Sequence, residues 1–449
     1  MALAVFEPPI DTPEAVTSPP AVVTTPCDPW PRPYYLEDGL RRVAPYHFTY
    51  NTNVKERWRG RGILDIFRDE FRDRPEEYYK DAIETGKIQV NGQPVPSVGA
   101  VVQNGDIISH TLHRHEPPVT AQPITIVHED DDMIVINKPA GVPVHPAGRY
   151  NYNSVVEIMR AERGHQWNPL PCNRLDRLTS GVMFIGKHKK AAERLTDQLV
   201  ERTVRKEYVA RVKGEFPANE VVCEQPILQI SPKLGLNRVR ANGKTAKTVF
   251  RRLAYYPPAA TSQGDSAPKE GYSIVRCLPL TGRTHQLRVH LQFLGHPITN
   301  DPIYANRRVF GASLGRSSAN SDDDDDIMTR LSRMGKDEVA EAVAYEDEMI
   351  EEYNKKKAEK MTGESCDICQ TPLYSDPGPH ELGIYLHAMK YASADGSWSY
   401  ETPLPNWALP PPGFAGPLGA TPESDPLAAD LKRLDVVDDA PEVQVNGST

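Results

Sequence analysis

Apolar and polar positions alternate along this chain with short periods that shift between those of helix and strand. Between about Arg59 and His115, Ile63, Leu64, Ile66, Phe67 and Phe71 mark one short helix. Pro75 to Thr85 supplies a second, with Tyr78, Ala82 and Ile83 along it. Two short strands follow, Ile88-Gln89-Val90 before an Asn91-Gly92 turn, and Val101-Val102 before Asn104-Gly105 and Ile107-Ile108. From Pro123 on, Ile124 to Val127 and Met133 to Ile136 are strand-like runs across an acidic turn, and Val182 to Ile185 reads as a buried strand. Lys189 to Val200 is helical, with Ala192, Leu195 and Leu199 inward. Alternation from Tyr208 sets Tyr208, Ala210 and Val212 on one strand face and Val209 and Arg211 on the other. Ile274 to Leu280 is a further strand, and Thr284 to Leu294 a helix with Leu287, Leu291 and Leu294 buried, Arg288 off that stripe, and Gly295 as its stop.

From Gly315 to Thr362 the pattern breaks into serines, five consecutive aspartates (Asp322 to Asp326) and many glutamates and lysines, which predicts a partly disordered, partly helical insertion. Strand signals return at Gly383 to Ala388 and Tyr400 to Trp407. The predicted organisation is a disordered tail over 1–40, a small module over 45–118, a larger domain over 123–310, an acidic insertion over 315–362, returning strands over 363–408, and a Pro-rich acidic tail over 409–449.

With 449 residues, 39% of them hydrophobic, and no apolar run near 18 residues, two or three folded units and no membrane span are expected. The formal net charge of −9 conceals a split. Residues 41–310 hold 40 Lys+Arg against 28 Asp+Glu, and the flanks hold 12 against 33. A basic body with acidic appendages suits a phosphate-bearing partner, although charge runs are usually solvated surface. No arginine precedes Arg32, so the sequence favours the cytosol, with a nuclear pool allowed and mitochondria ranked lower. Six dispersed cysteines suit a reducing compartment. Only Cys366 and Cys369 have ligand spacing; His380 and His387 could complete a zinc site, but a polar turn with two thiols is the preferred reading and no metal is expected.

The candidate chemistry lies in Cys172-Asn173-Arg174-Leu175-Asp176-Arg177-Leu178-Thr179-Ser180-Gly181. Leu175 and Leu178 fix the segment to a core, and Arg174 and Arg177 flank one carboxylate on a loop at a strand's edge. Nearby positive charge keeps such a carboxylate ionised, which suits a nucleophile and not a general acid. Most loop aspartates merely cap turns or pair with arginine, and this segment alone leaves that reading open.

The run resembles the H/N-R-L-D-x-x-T-S-G signature of the RluA-type pseudouridine synthases. Asn137 to His145 resembles that family's first motif, Lys206 to Ala210 its tyrosine motif and Thr281 to His290 its late arginine motif, all in the family's order. Pro45 to Tyr50, Leu112 to Pro118 and Asn173 are most similar to the fungal tRNA pseudouridine-32 group. The small module resembles an S4 RNA-binding fold. Its arginines at 57, 59, 61, 68, 72 and 74 favour RNA contact over a mere capping role, and His110, His113 and His115 beside Arg114 could join them.

The resemblance implies an α+β catalytic domain with a mixed, mainly antiparallel central sheet. It also implies isomerisation of uridine to pseudouridine without cofactor, by a monomer that needs no protein partner and acts on RNA, tRNA first. The implied catalytic residues are Asp176 as nucleophile, Tyr208 stacked on the extruded base and able to help remove the C5 proton, and Arg288 paired with the carboxylate. Arg174, Arg177, Lys138, Arg283 and His285 are the implied RNA contacts, with Arg174 filling the gap left by the base. Two other readings compete: a non-catalytic RNA-binding or RNA-folding factor, and a zinc-dependent deaminase relative. The second lacks the required H-x-E with P-C-x-x-C.

Overall fold

The computed structural model describes residues 34–416 apart from 72–75, 165, 202, 232–234, 259–270, 312, 320–323, 334–360, 371, 375, 379, 380 and 415. The expectations for Arg72, Arg74 and His380, and for most of the two tails and the insertion, therefore lie outside the described residues.

Among the described residues, ten strands form one sheet. Its main path runs Val221–Cys223, Thr248–Tyr256, Tyr272–Pro279, Val204–Lys213, Leu386–Ser393, Ser180–Gly186, Met133–Lys138, Thr125–Glu129. Neighbours are antiparallel except Ser180–Gly186 and Leu386–Ser393, which are parallel. A mixed, mainly antiparallel sheet is therefore what the chain builds. Its middle strand comes from the far side of the insertion, so the sheet closes only when the chain returns. At that seam the backbones nearly touch: Gly181 sits at φ +115°, and a Cβ there would lie 2.2 Å from the Ala388 carbonyl oxygen. Only glycine meets both conditions.

Alternation along Val204–Lys213 sorts as the pattern requires. Ala210 and Val212 enter a core with Phe216, Phe250, Leu287 and Leu291, while Val209 packs on the other face with Tyr256 and Ile274. Arg211 on that second face lies 3.7 Å from the Tyr272 ring centroid. A separate core fills the opposite half of the sheet, built on Met133–Ile136 and Val182–Ile185. The helix Lys189–Val200 contributes Leu195 to it.

The small N-terminal module is a four-stranded sheet ordered Tyr46–Asn53, Ile107–Arg114, Ile88–Val90, Gln93–Pro94. Its core includes Trp58, Ile63, Ile66, Phe67, Tyr79, Ala82 and Ile83. Tyr79, not Tyr78, is the fully buried ring of the second helix, Glu76–Glu84. The first helix runs Ile63–Ile66 and widens into a π-turn at Phe67–Phe71. Val101 makes an isolated bridge to Gly62 where a strand was expected. Tyr46–Asn53 pairs with Ile107–Arg114 along its whole length, a strand the pattern does not announce.

Two further expectations are corrected. The tail does not extend to residue 40, because Tyr34–Glu37 and Leu40–Val43 form a hairpin that continues onto Val119–Thr120. The five-aspartate run is not all solvated. Asp324 begins the helix Asp324–Arg333 and is buried, paired with Arg238 at 3.1 Å and, more closely, with Arg240. Ile327, one turn on, is buried beside Tyr304 and Phe310.

Candidate active site

The Asp176 loop is held from three sides by backbone. The Gly141 N–H donates to the Arg177 carbonyl, the Ile384 N–H to the Leu178 carbonyl, and the Thr179 N–H to the Asp176 carbonyl. Gly141 is at φ +86°, and a Cβ there would meet the Leu382 carbonyl oxygen at 2.6 Å. Loops from the first motif and from the returning chain thus enclose the aspartate loop.

Lys138 completes this clamp. Its ammonium donates to the carbonyls of Pro139 (2.9 Å), Val142 (2.7 Å) and Arg177 (3.2 Å), and the side chain is wholly buried. Burial, with the Arg177 charge, pushes its pKa down to about 7. The expected RNA contact at Lys138 does not fit this placement, because its three donor positions face backbone within the loop.

Asp176 Oδ2 accepts from Arg288 Nη1 at 2.9 Å. Arg288 in turn donates from Nε and Nη2 to the two oxygens of Asp301, at 2.7 and 3.0 Å. Asp301 is fully buried and also accepts from the N–H groups of Ile303 and Tyr304. Arg288 is therefore not a surface residue beside the apolar stripe: two carboxylates carry it inside the fold. Burial opposes its charge, but Asp301 and Asp176 outweigh that and raise its pKa. Burial likewise opposes ionisation of Asp176, and its neighbours, His285 in its protonated form and Arg288 through both its charge and its hydrogen bond, hold its pKa below the ordinary carboxylate value. The Asp176 side chain keeps 34% of its surface exposed, against 5% for Arg288 and 0% for Asp301.

His285 belongs to this cluster and not to an outer RNA face. It adopts left-handed backbone at φ +57°, ahead of the helix Gln286–Phe293, which directs its ring inward. Nδ1 lies 3.0 Å from the Tyr304 hydroxyl and 3.5 Å from Asn237 Nδ2. The Tyr304 oxygen also accepts from the Asn237 backbone N–H. Nε2, the other ring nitrogen, faces Asp176 Oδ2 at 3.6 Å. Burial, with the nearby Arg288, pushes the His285 pKa down to about 4, so the ring is neutral at pH 7.

Tyr208 is brought near the aspartate, its hydroxyl in a close hydrogen bond with that of Tyr391. Burial, Tyr391 and the Asp176 charge raise its pKa well above the ordinary phenol value. The neutral ring is its resting form, which fits stacking and disfavours a phenolate that takes a proton.

The remaining predicted contacts spread outward. Arg174 is exposed, and Arg177 lies 5.5 Å from the Tyr150 ring centroid. Arg283 is half-buried, with Nε donating to the Thr245 carbonyl. In the small module, Arg57, Arg61 and Arg68 pair with Glu70, Asp69 and Asp65 respectively. His110, His113 and Arg114 are buried and do not form an outer basic face. His387, named with the thiols, is instead hydrogen-bonded to Ser180 and Thr402 inside the sheet. His113 and His115 are the rings that stand beside Cys366 and Cys369.

Asp301 stands in Asn300 to Ala305, a stretch that continues the family's pattern, but the sequence reading gave it no role; the structure makes it the second carboxylate on Arg288.

Residues 132–293 match the family model described as RNA pseudouridylate synthase. The Saccharomyces cerevisiae "tRNA pseudouridine(32) synthase, mitochondrial" is 46% identical, over 83% of this chain and 78% of its own. The human "Pseudouridylate synthase RPUSD2" is 40% identical over 84% and 74%. A second yeast protein, "tRNA pseudouridine(31) synthase", is 31% identical over 83% and 96%. The first of these names corrects the ranking of compartments: a mitochondrial relative at 46% identity gives no ground for placing mitochondria last. With this likeness covering most of both chains, and with an ionised, accessible aspartate in the matched segment, the chain belongs to the RluA-type family and is an RNA pseudouridine synthase.

Proposed function

We propose that this enzyme converts uridine to pseudouridine at position 32 of the tRNA anticodon loop, with Asp176 as nucleophile. The observation that carries the residue assignment is the contrast within one ion-pair cluster: Asp301 is sealed, whereas Asp176 is ionised and reachable. The base must leave its stack to reach it, and the extruded uracil would lie against Tyr208. Asp176 then attacks at the ribose C1′ or promotes elimination; in either route the N1–C1′ bond breaks, uracil turns, C5 bonds to C1′ as any bond to Asp176 is released, and the C5 proton is lost to solvent while N1 takes one up. Arg288 keeps the carboxylate charged and aimed, and Asp301 keeps Arg288 in place. The preference for position 32 over 31 rests on the higher identity to the first yeast relative.

Arg174, Arg177 and Arg283 are proposed to meet the RNA around the extruded base. We assign residues 45–118 as an S4-like RNA-binding module and 123–310 with 363–408 as the catalytic domain. The pairs of Arg57 and Arg68 with acids are exposed and screened by solvent, so phosphates can compete for these guanidinium groups. Mitochondrial tRNA joins cytosolic tRNA in the proposed substrate pool, to be tested by fractionating cells that carry the tagged chain.

The test is a pseudouridine map of total RNA from cells lacking the protein, rescued with the intact chain or with Asp176→Asn. Position 32 should lose its modification and regain it only with the intact chain. Loss at position 31 alone would reassign the target, and rescue by the Asn variant would remove Asp176 from the chemistry.

A further inference from the structure

We infer that His113, His115, Cys366 and Cys369 form a zinc site that clasps the N-terminal module to the segment returning from the acidic insertion. Their four ligand atoms lie within 4.8 Å of one another. Cys366 Sγ is 3.4 Å from His113 Nδ1, and Cys369 Sγ is 3.3 Å from His115 Nε2. Zinc–sulfur bonds of about 2.3 Å and zinc–nitrogen bonds of about 2.0–2.1 Å set tetrahedral edges of about 3.3–3.8 Å. The two observed sulfur–nitrogen distances fall in that range.

Local structure presents the ligands in pairs. His113 and His115 stand two residues apart at the end of the strand Ile107–Arg114, so an extended backbone puts both rings on one side. Their centroids are 4.9 Å apart at 88°. Cys366 and Cys369 flank a turn closed by the Gln370 N–H on the Cys366 carbonyl, with Gln370 at φ +55°. The two thiols are not bonded to each other. Two thiolates and two neutral imidazoles balance a divalent charge, and an S₂N₂ donor set favours zinc among common divalent ions.

The site joins residues 253 and 254 positions apart. A second tie stands close by in sequence, the Arg42 guanidinium on both oxygens of Asp376, each at 2.6 Å. Together they pin the path by which the chain leaves the insertion and reaches Leu386–Ser393 at the middle of the large sheet. All four positions around the metal are taken by protein, which marks a structural site and not a hydrolytic one, where a position stays open for water. None of the four residues is among those around Asp176, so the inference stands apart from the proposed target.

Elemental analysis of the untagged full-length chain, purified under reducing conditions without chelator, tests it. About one zinc per chain is expected, falling about tenfold or more in the Cys366→Ser/Cys369→Ser double variant, whose circular dichroism should stay native. If that variant does not fold, cobalt(II) exchanged into the intact chain decides: intense visible bands of tetrahedral coordination with a near-ultraviolet thiolate band are expected. Less than about a tenth of a zinc per chain with no uptake of added zinc would overturn the site. So would unchanged zinc content in the folded double variant, or a cobalt spectrum without the thiolate band.

Discussion

Among the described residues, the arginine–carboxylate clusters around Arg288 and around Asp324 differ in how far their members are sealed from solvent. Around Arg288, the carboxylates are unequal: Asp301 is sealed and Asp176 opens to the surface. Around Asp324, both partners are sealed, with Arg238 at 1% and Arg240 at 4% side-chain exposure. The second cluster fastens the start of the insertion's helix to the strand Leu236–Val239 and the residue after it. Buried ion pairs by themselves argue weakly for stability or function, because desolvation offsets their attraction. What separates the carboxylate proposed as nucleophile from the fastener is its open face, 34% of the Asp176 side chain against 13% for Asp324.

The largest effect should fall on Asp176→Asn. Pseudouridine formation should drop on the order of 10⁴-fold or more while the melting temperature stays close to that of the intact chain, since Arg288 keeps Asp301. Asp301→Asn should lower both quantities, losing about 3–5 kcal/mol because a buried guanidinium is left half-paired, and the remaining activity should be well below wild type in kcat. Asp324→Asn breaks the comparison if it affects catalysis. It should cost a similar about 3–5 kcal/mol in chemical denaturation and leave kcat unchanged under conditions where the variant is folded.

Acid separates the clusters further. His285 stands in the first, and among the described residues the ion-pair partners of Asp324 in the second are Arg238 and Arg240. With His290 and His387, it is buried with a pKa near 4. Between pH 6.5 and 4 the unfolded chain binds protons that these rings refuse, so stability falls as pH falls through that window. At pH 5 each ring should cost about 2 kcal/mol, and His290→Gln should flatten the slope of stability measured by urea titration between pH 7 and 5. The smallest effect concerns Tyr208. If its ring supports the extruded base, Tyr208→Phe should retain at least about tenfold more activity than Tyr208→Leu, since stacking is worth about 1–3 kcal/mol per base.

Asp176, Tyr208 and Arg288 were legible because their neighbours form motifs in contiguous stretches. Asp301 was not, because its partner lies across a helix end at Gly295 and a turn, so only the fold joins them. Lys138 and His285 were misplaced outward for a common reason. Charged and polar types read as exposed along a sequence, whereas these two are turned inward by partners supplied from elsewhere: three loop carbonyls, and Tyr304 with Asn237. Tyr46–Asn53 escaped notice as a strand because it is polar and half-exposed, lacking a clean apolar alternation. The returning strand was recognised, but its position in the middle of the sheet was not, since no local pattern encodes which strand a later segment will pair with. The Cys366–Cys369 turn was seen without its histidines for the same reason, the two pairs being 253 and 254 residues apart.

The most direct test of the central claim is pseudouridine yield on an unmodified tRNA anticodon-loop substrate, measured side by side for Asp176→Asn and Asp324→Asn at matched folded fractions. The account predicts no detectable product from the first and a wild-type rate constant from the second. Product from the Asp176 variant at a wild-type rate would contradict it.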